Sequence, residues 1–221
     1  MKSVQTSLYA ELKDAGFHRK GKNLFFVQMS DIIGLVAVEK PTGSIYVQFA
    51  VIPLFLPCPG SIYYTYGRRL NEMYHDLPAV GSHSTEEQLN RFCRTAAQHI
   101  KQDLLPLFQA LSTSTALRKY AEKQVKPFRK RGPRVFHCTP EEMKYLYLYC
   151  CLYDRDYEEA MRAAQKYALC VRKTKYWTEA LKAKKIQESN QISEMIHTAA
   201  YRQIETMFER NRADHLACFF G

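Results

Sequence analysis

The sequence is poor in the features that announce chemistry. With nine glycines among 221 residues, it has no glycine-rich strand-to-helix turn of the kind that seats a dinucleotide. It also lacks the Gly-rich spacing and Lys-Ser/Thr end of a phosphate-binding loop. No apolar run approaches the roughly 20 residues that span a bilayer. Lys13 and Asp14 interrupt the N-terminus too early for a secretory signal. The expectation is a cytoplasmic protein that does not enter membranes. Seven cysteines are an odd number without repeated spacing, and Cys150 and Cys151 sit inside an apolar run. They read as small buried hydrophobes in a reducing compartment, not as a disulfide framework. The seven histidines (His18, His75, His83, His99, His137, His197 and His215) include no His-Glu-x-x-His run. Adjacent His137 and Cys138 diverge to opposite sides of an extended chain. Neither a metal nor a cofactor is expected, although ligands can converge from remote segments, as His75, His83 and Asp103 would. Gly81-Ser82-His83-Ser84 lacks the strand-to-helix context of a nucleophile elbow. The acids Asp154, Asp156, Glu158 and Glu159 suit a helix start better than a general acid–base pair.

What is present organises around Leu8 to Leu56. A helix over about residues 3–15, with Ser3 as N-cap and Gly16 as stop, precedes three strand-like runs. These runs are Asn23 to Met29, Ile32 to Glu39 and Ser44 to Leu56. Ile45, Val47, Phe49 and Val51 alternate with Tyr46, Gln48 and Ala50, so one face should be buried against Leu8, Leu12 and a helix starting near Thr85. Asp31 and Pro41-Thr42-Gly43 are short enough for antiparallel hairpins. Pro53, Pro57 and Pro59 end the ladder. Ile62 to Tyr66 reads as a fourth short strand, and Gly67-Arg68-Arg69-Leu70 as the opening of a turn. From Thr85, Leu89, Phe92, Cys93, Ala96, Ile100, Leu104, Leu107 and Phe108 keep helical spacing, with Pro106 kinking or dividing the helix. A shorter helix is expected over Ala116 to Lys126.

Residues 126–138 read as a linker, and everything beyond reads helical. Thr139-Pro140-Glu141-Glu142 is a start signal, and Asp156 with Glu159 resembles a capping box. A last helical stretch covers about 174–212, with a bend at polar Gln187 to Gln191. The pair over 140–171 is similar to one tetratricopeptide-like hairpin, but no second copy follows, so a plain helical bundle is favoured. The expected fold is α+β, an N-terminal antiparallel sheet with flanking helices followed by a C-terminal helical bundle. The expected divisions are an α+β domain over 1–111, a basic linker over 112–138 and a helical region over 139–221.

The order Leu12-Lys13, Gly16-Phe17, Arg19-Lys20-Gly21-Lys22-Asn23 and Phe25-Phe26 resembles the start of an uncharacterised bacterial family, the domain of unknown function of the 4304 type. Tyr46-Val47-Gln48-Phe49-Ala50-Val51 and Gly67-Arg68-Arg69-Leu70 continue the likeness over about residues 1–110. The resemblance implies an α+β fold and no established activity. It also implies a possible place beside toxin–immunity loci, hence an immunity role. The basic helical region after about residue 112 is a departure from that family.

Charge marks the remaining candidates. The net charge is +10, with 11 basic and 9 acidic residues over 1–111 against 21 and 13 over 112–221. Such asymmetry can attract nucleic acid, anionic lipid or an acidic protein, and alone it speaks to solubility and association. Arg19, Lys20 and Lys22, between glycines, form a possible anion loop, against the plainer reading of a solvated turn. Arg118, Lys119, Lys123, Lys126, Arg129, Lys130, Arg131 and Arg134 interleave with Tyr120, Phe128 and Phe136. Basic groups and stackable rings together suit single-stranded nucleic acid. Tyr145, Tyr147, Tyr149 and Tyr153 suit a helix seam or a partner surface. The expectation is a non-catalytic binding protein with a macromolecular protein partner. Nucleic-acid binding through 118–134 and an enzyme whose site is invisible in sequence are the alternatives.

Overall fold

The structure, a computed structural model, describes residues 3–62, 64–125 and 135–221. Helix α1 spans Val4–Leu12, with the Ser3 hydroxyl accepting from the Thr6 amide, and ends through a 3-10 turn at Gly16. An antiparallel sheet follows: β1 His18–Lys20, β2 Leu24–Met29, β3 Ile32–Glu39, β4 Ser44–Pro53, β5 Gly67–Arg69 and β6 Val80–Gly81. The strand order is β1-β2-β3-β4-β5, with β6 pairing the start of β4. The β3–β4 ladder runs from Ile32 opposite Pro53 to Glu39 opposite Tyr46.

Two strands depart from the expected ones. The basic run after Gly16 pairs as edge strand β1, its Arg19 exposed, a charged edge of the kind that resists further pairing. The expected strand at Ile62 to Tyr66 forms instead at Gly67–Arg69. There a Cβ on Gly67 would lie 2.3 Å from the Phe49 carbonyl oxygen, so the strand can approach β4 only through glycine.

Ile45, Val47, Phe49 and Val51 share one buried cluster with Leu8, Leu12 and Phe92, as their alternation requires. The opposite face is buried too. Phe26, Ile33, Leu35, Ala50, Ile52 and Leu54 form a second cluster with Phe219. Helix α2 (Glu86–His99) begins with a full capping box between Thr85 and Gln88. It continues through a π-turn, Ile100–Leu104, into α3, Leu105–Ala110. The π-turn lies directly before Pro106, whose missing amide and bulky ring would disrupt regular α-helix at that point.

The helical region comprises α4 Ser114–Val125, α5 Pro140–Tyr153, α6 Tyr157–Lys173, α7 Glu179–His197 and α8 Tyr201–Phe220. The bend expected at Gln187 to Gln191 is absent, because that stretch lies within α7. The break falls at Thr198–Ala200. There the Ala200 amide donates to Met195 (2.8 Å) and the Ala199 amide to Ile196 (3.1 Å), with Ala199 at φ 53°. This is a Schellman stop without glycine.

Sheet and helices share packing throughout. Phe55 stacks on Tyr153 at 4.9 Å, the Ser114 amide donates to Asp31 at 3.0 Å, and the Tyr66 hydroxyl donates to the Glu142 carbonyl at 3.0 Å. Helix α8 runs behind the sheet with Phe219 5.0 Å from Phe26. Among the described residues no helix is long and apolar enough to cross a membrane.

Candidate functional site

The connection after β4 is rich in proline and cannot extend the ladder, so it leaves the sheet and runs over the helices. Where it faces α5, α6 and α7 it closes one side of an open cavity of about 570 Å³. Leu56, Pro57 and Tyr66 line it from the sheet side, and Tyr145, Tyr167 and Trp177 from the helices. Trp177, the chain's single tryptophan, is placed by the loop between α6 and α7. Thr178 caps α7 directly after it.

The polar groups of this cavity divide into spent and unspent. Glu188 accepts from the Tyr145 hydroxyl, from the Tyr149 hydroxyl at 2.8 Å and from Lys185 Nζ at 2.9 Å. Lys185 also lies 4.3 Å from the Tyr145 ring centre, a cation–π distance. Burial holds both tyrosine hydroxyls far above their ordinary value, so both remain donors to the carboxylate. Glu188 is therefore a strut between α5 and α7. Lys184, exposed at the rim, makes no ion pair among the described residues. Beside Trp177, Tyr176 is 62% exposed, its ring centre 6.4 Å from the indole, while its hydroxyl donates to Glu141 at 2.5 Å. Lys173, the last residue of α6, and Lys175 on the connection are exposed, and Leu181 is 38% exposed one turn before Lys184.

The residues singled out from the sequence are placed differently. Arg19 folds back on its own turn, donating to the carbonyls of Gly21 (3.0 Å) and Lys22 (3.1 Å); Lys20 is half-buried and Lys22 exposed. Arg118 pairs with Asp156 at 2.5 Å and reaches Asp154 at 3.8 Å. Lys119 and Lys123 are exposed on α4. Tyr120 accepts the Val135 amide at 3.1 Å and packs against buried Phe136, so neither ring is presented for stacking. Lys126, Phe128, Arg129, Lys130, Arg131 and Arg134 lie outside the described residues.

Asp154 accepts the Ser114 hydroxyl at 2.5 Å, and Asp156 caps α6 through the Glu159 amide at 3.2 Å. The hydroxyls of the four tyrosines of α5 are all spent on carboxylates, Tyr145 and Tyr149 on Glu188, Tyr147 on Glu159 and Tyr153 on Asp31. The Tyr145 side chain also lines the cavity.

Sequence reasoning missed the best-bracketed histidine. His99 Nε2 lies 3.0 Å from Asp76, its Nδ1 lies 3.2 Å from Asp103, and Tyr74 stacks on the ring at 3.8 Å. Burial, reinforced by Asp103, pushes the Tyr74 hydroxyl up to about 12. The His99–Asp103 spacing of four is legible in a helix, whereas Asp76 arrives from a distant loop. Among the described residues no three metal-ligating side chains converge.

Compared with family models, with curated proteins and with solved structures, the chain matches none.

Proposed function

We propose that this chain is a non-catalytic binding protein whose partner is another protein, engaged through an acidic segment carrying an apolar anchor. The observation that carries the reading is the open cavity with an indole and three phenol rings in its wall and, at its rim, a lysine that makes no ion pair among the described residues. Protein-binding hot spots concentrate in such pockets, where an aromatic or aliphatic anchor is desolvated inside a charged rim. Lys184 lines the cavity, and the lining acids Glu188 and Glu142 are held by Tyr145, Tyr149 and Lys185 and by the Thr139 amide. The free charge there is therefore positive and favours an acidic segment. The family resemblance supplies the immunity form of the reading, in which the partner is a toxin.

A photo-cross-linking residue at Leu181, introduced in the native host, tests the proposal. The expected result is a discrete adduct with an acidic protein, whose yield falls about fivefold with Lys184→Glu, equivalent to roughly 1 kcal/mol. Lys119→Glu, on exposed α4, should leave it unchanged. Adducts indifferent to Lys184→Glu would overturn the proposal, as would nucleic acid as the only cross-linked species. In the immunity form, the purified adduct is a toxin and co-expression restores growth.

A further inference from the structure

Three side chains of α8 descend in order onto the connection after β4. Asn211 Nδ2 donates to the Phe55 carbonyl at 2.9 Å, and His215 Nε2 donates to the Leu56 carbonyl at 3.0 Å. One turn further, Cys218 Sγ lies 3.7 Å from Cys58 Sγ, across 160 residues of sequence. The two buried hydrogen bonds hold helix and connection in fixed register, so the thiols meet without either backbone having to search. Of the other cysteines, Cys93 points at the Val4 carbonyl and Cys170 at Glu141, Cys150 and Cys151 are fully buried, and Cys138 is half-buried. Cys58 and Cys218 are both half-buried, within reach of a small reagent.

We propose that Cys58 and Cys218 form a thiol–disulfide pair, oxidised by a low-molecular-weight disulfide of the glutathione class. One protein thiolate attacks a sulfur of the reagent, displacing one reagent thiolate and leaving a mixed disulfide on the protein. The second protein thiolate then attacks the protein sulfur of that mixed disulfide and displaces the other reagent thiolate. The protein loses two protons and two electrons, and the reagent leaves as two thiols. Closing the sulfurs from 3.7 Å to a bond of about 2.05 Å is within reach of side-chain rotation. The bond would fasten α8 to the connection that also walls the cavity, since Cys58 lines both. The pairing does not depend on what the cavity binds.

The test equilibrates purified, reduced protein in glutathione buffers at pH 8, from reducing to oxidising. Free thiols are then trapped by alkylation, and the cross-links are mapped by peptide mass spectrometry. The expected result is a single intramolecular Cys58–Cys218 link, with two of the seven thiols lost to alkylation. The melting temperature should rise by roughly 5–15 °C, as a long closed loop implies. Cys58→Ser and Cys218→Ser should keep the reduced melting temperature and lose the response. Both thiols still alkylatable in the oxidising buffer would overturn the proposal. So would a persistent mixed disulfide, links to other cysteines, or links only between molecules.

Discussion

At the scale of single residues, a severe packing constraint lies at Gly34 in the middle of β3. A Cβ there would lie 2.4 Å from Phe108 Cδ2, so the strand passes against the ring of α3 only because the position has no side chain. Gly34→Ala should destabilise the protein by about 1–3 kcal/mol, the cost of overpacking. Adding Phe108→Leu should recover part of that loss, because the shorter side chain vacates the space. Urea denaturation of both single variants and the double variant measures the coupling. A second constraint is His215, only 2% exposed. Because Nε2 donates to the Leu56 carbonyl, protonating the ring places a net charge in the interior. Burial lowers its folded-state pKa, against smaller opposing effects of the Leu56 carbonyl and Asp214. The unfolded chain then binds the extra proton more readily than the folded one. The stabilisation is complete above the ordinary value near 6.5 and is lost as pH falls toward and through the folded value. Thermal melts from pH 7.5 to 5 should show this decline, and His215→Gln, which keeps an amide donor without a titrating group, should flatten it.

At the scale of elements, stops explain which boundaries were legible. Helix starts carry their signal in side chains: Ser3, Thr85, Thr139 and Asp156 all cap where the sequence places them. The stop of α7 carries none, because Ala199 occupies a left-handed position that usually takes glycine. Polar Gln187 to Gln191 therefore drew the expected bend, although Ser189 there is buried and donates to the Ala164 carbonyl at 2.9 Å. Ala199→Gly should stabilise the protein by about 1 kcal/mol, since the left-handed penalty disappears. A chemical denaturation midpoint that fails to rise would show that the turn is held by its neighbours alone. The central strands were legible because alternation survives burial of the second face. Edge strand β1 was not, since Arg19 and Lys20 look like loop residues until Phe25 and Leu24 pair with them. The cavity was illegible for a related reason: Leu56, Tyr145, Trp177 and Lys184 carry no shared spacing and meet only through packing.

At the scale of the whole molecule, the sheet is enclosed from two directions by parts of the chain far apart in sequence. One face receives α1, α2 and α3, its near neighbours in the chain, while the other waits for α8. This order has a consequence for biosynthesis. A nascent chain that has emerged as far as α7 already holds the paired β3–β4 ladder but exposes Phe26, Leu35, Ala50, Ile52 and Leu54 on its bare side. That surface is apolar and broad, the kind that recruits trigger-type chaperones or associates with other nascent chains. Ile62 and Tyr64 of the connection after β4 cover part of it, and the rest falls to Phe219 of α8, which is synthesised after every strand of the sheet. Translation speed through the codons of α8 thus becomes a determinant of yield, and a stop codon anywhere before Tyr201 produces a polypeptide that quality control should recognise and degrade.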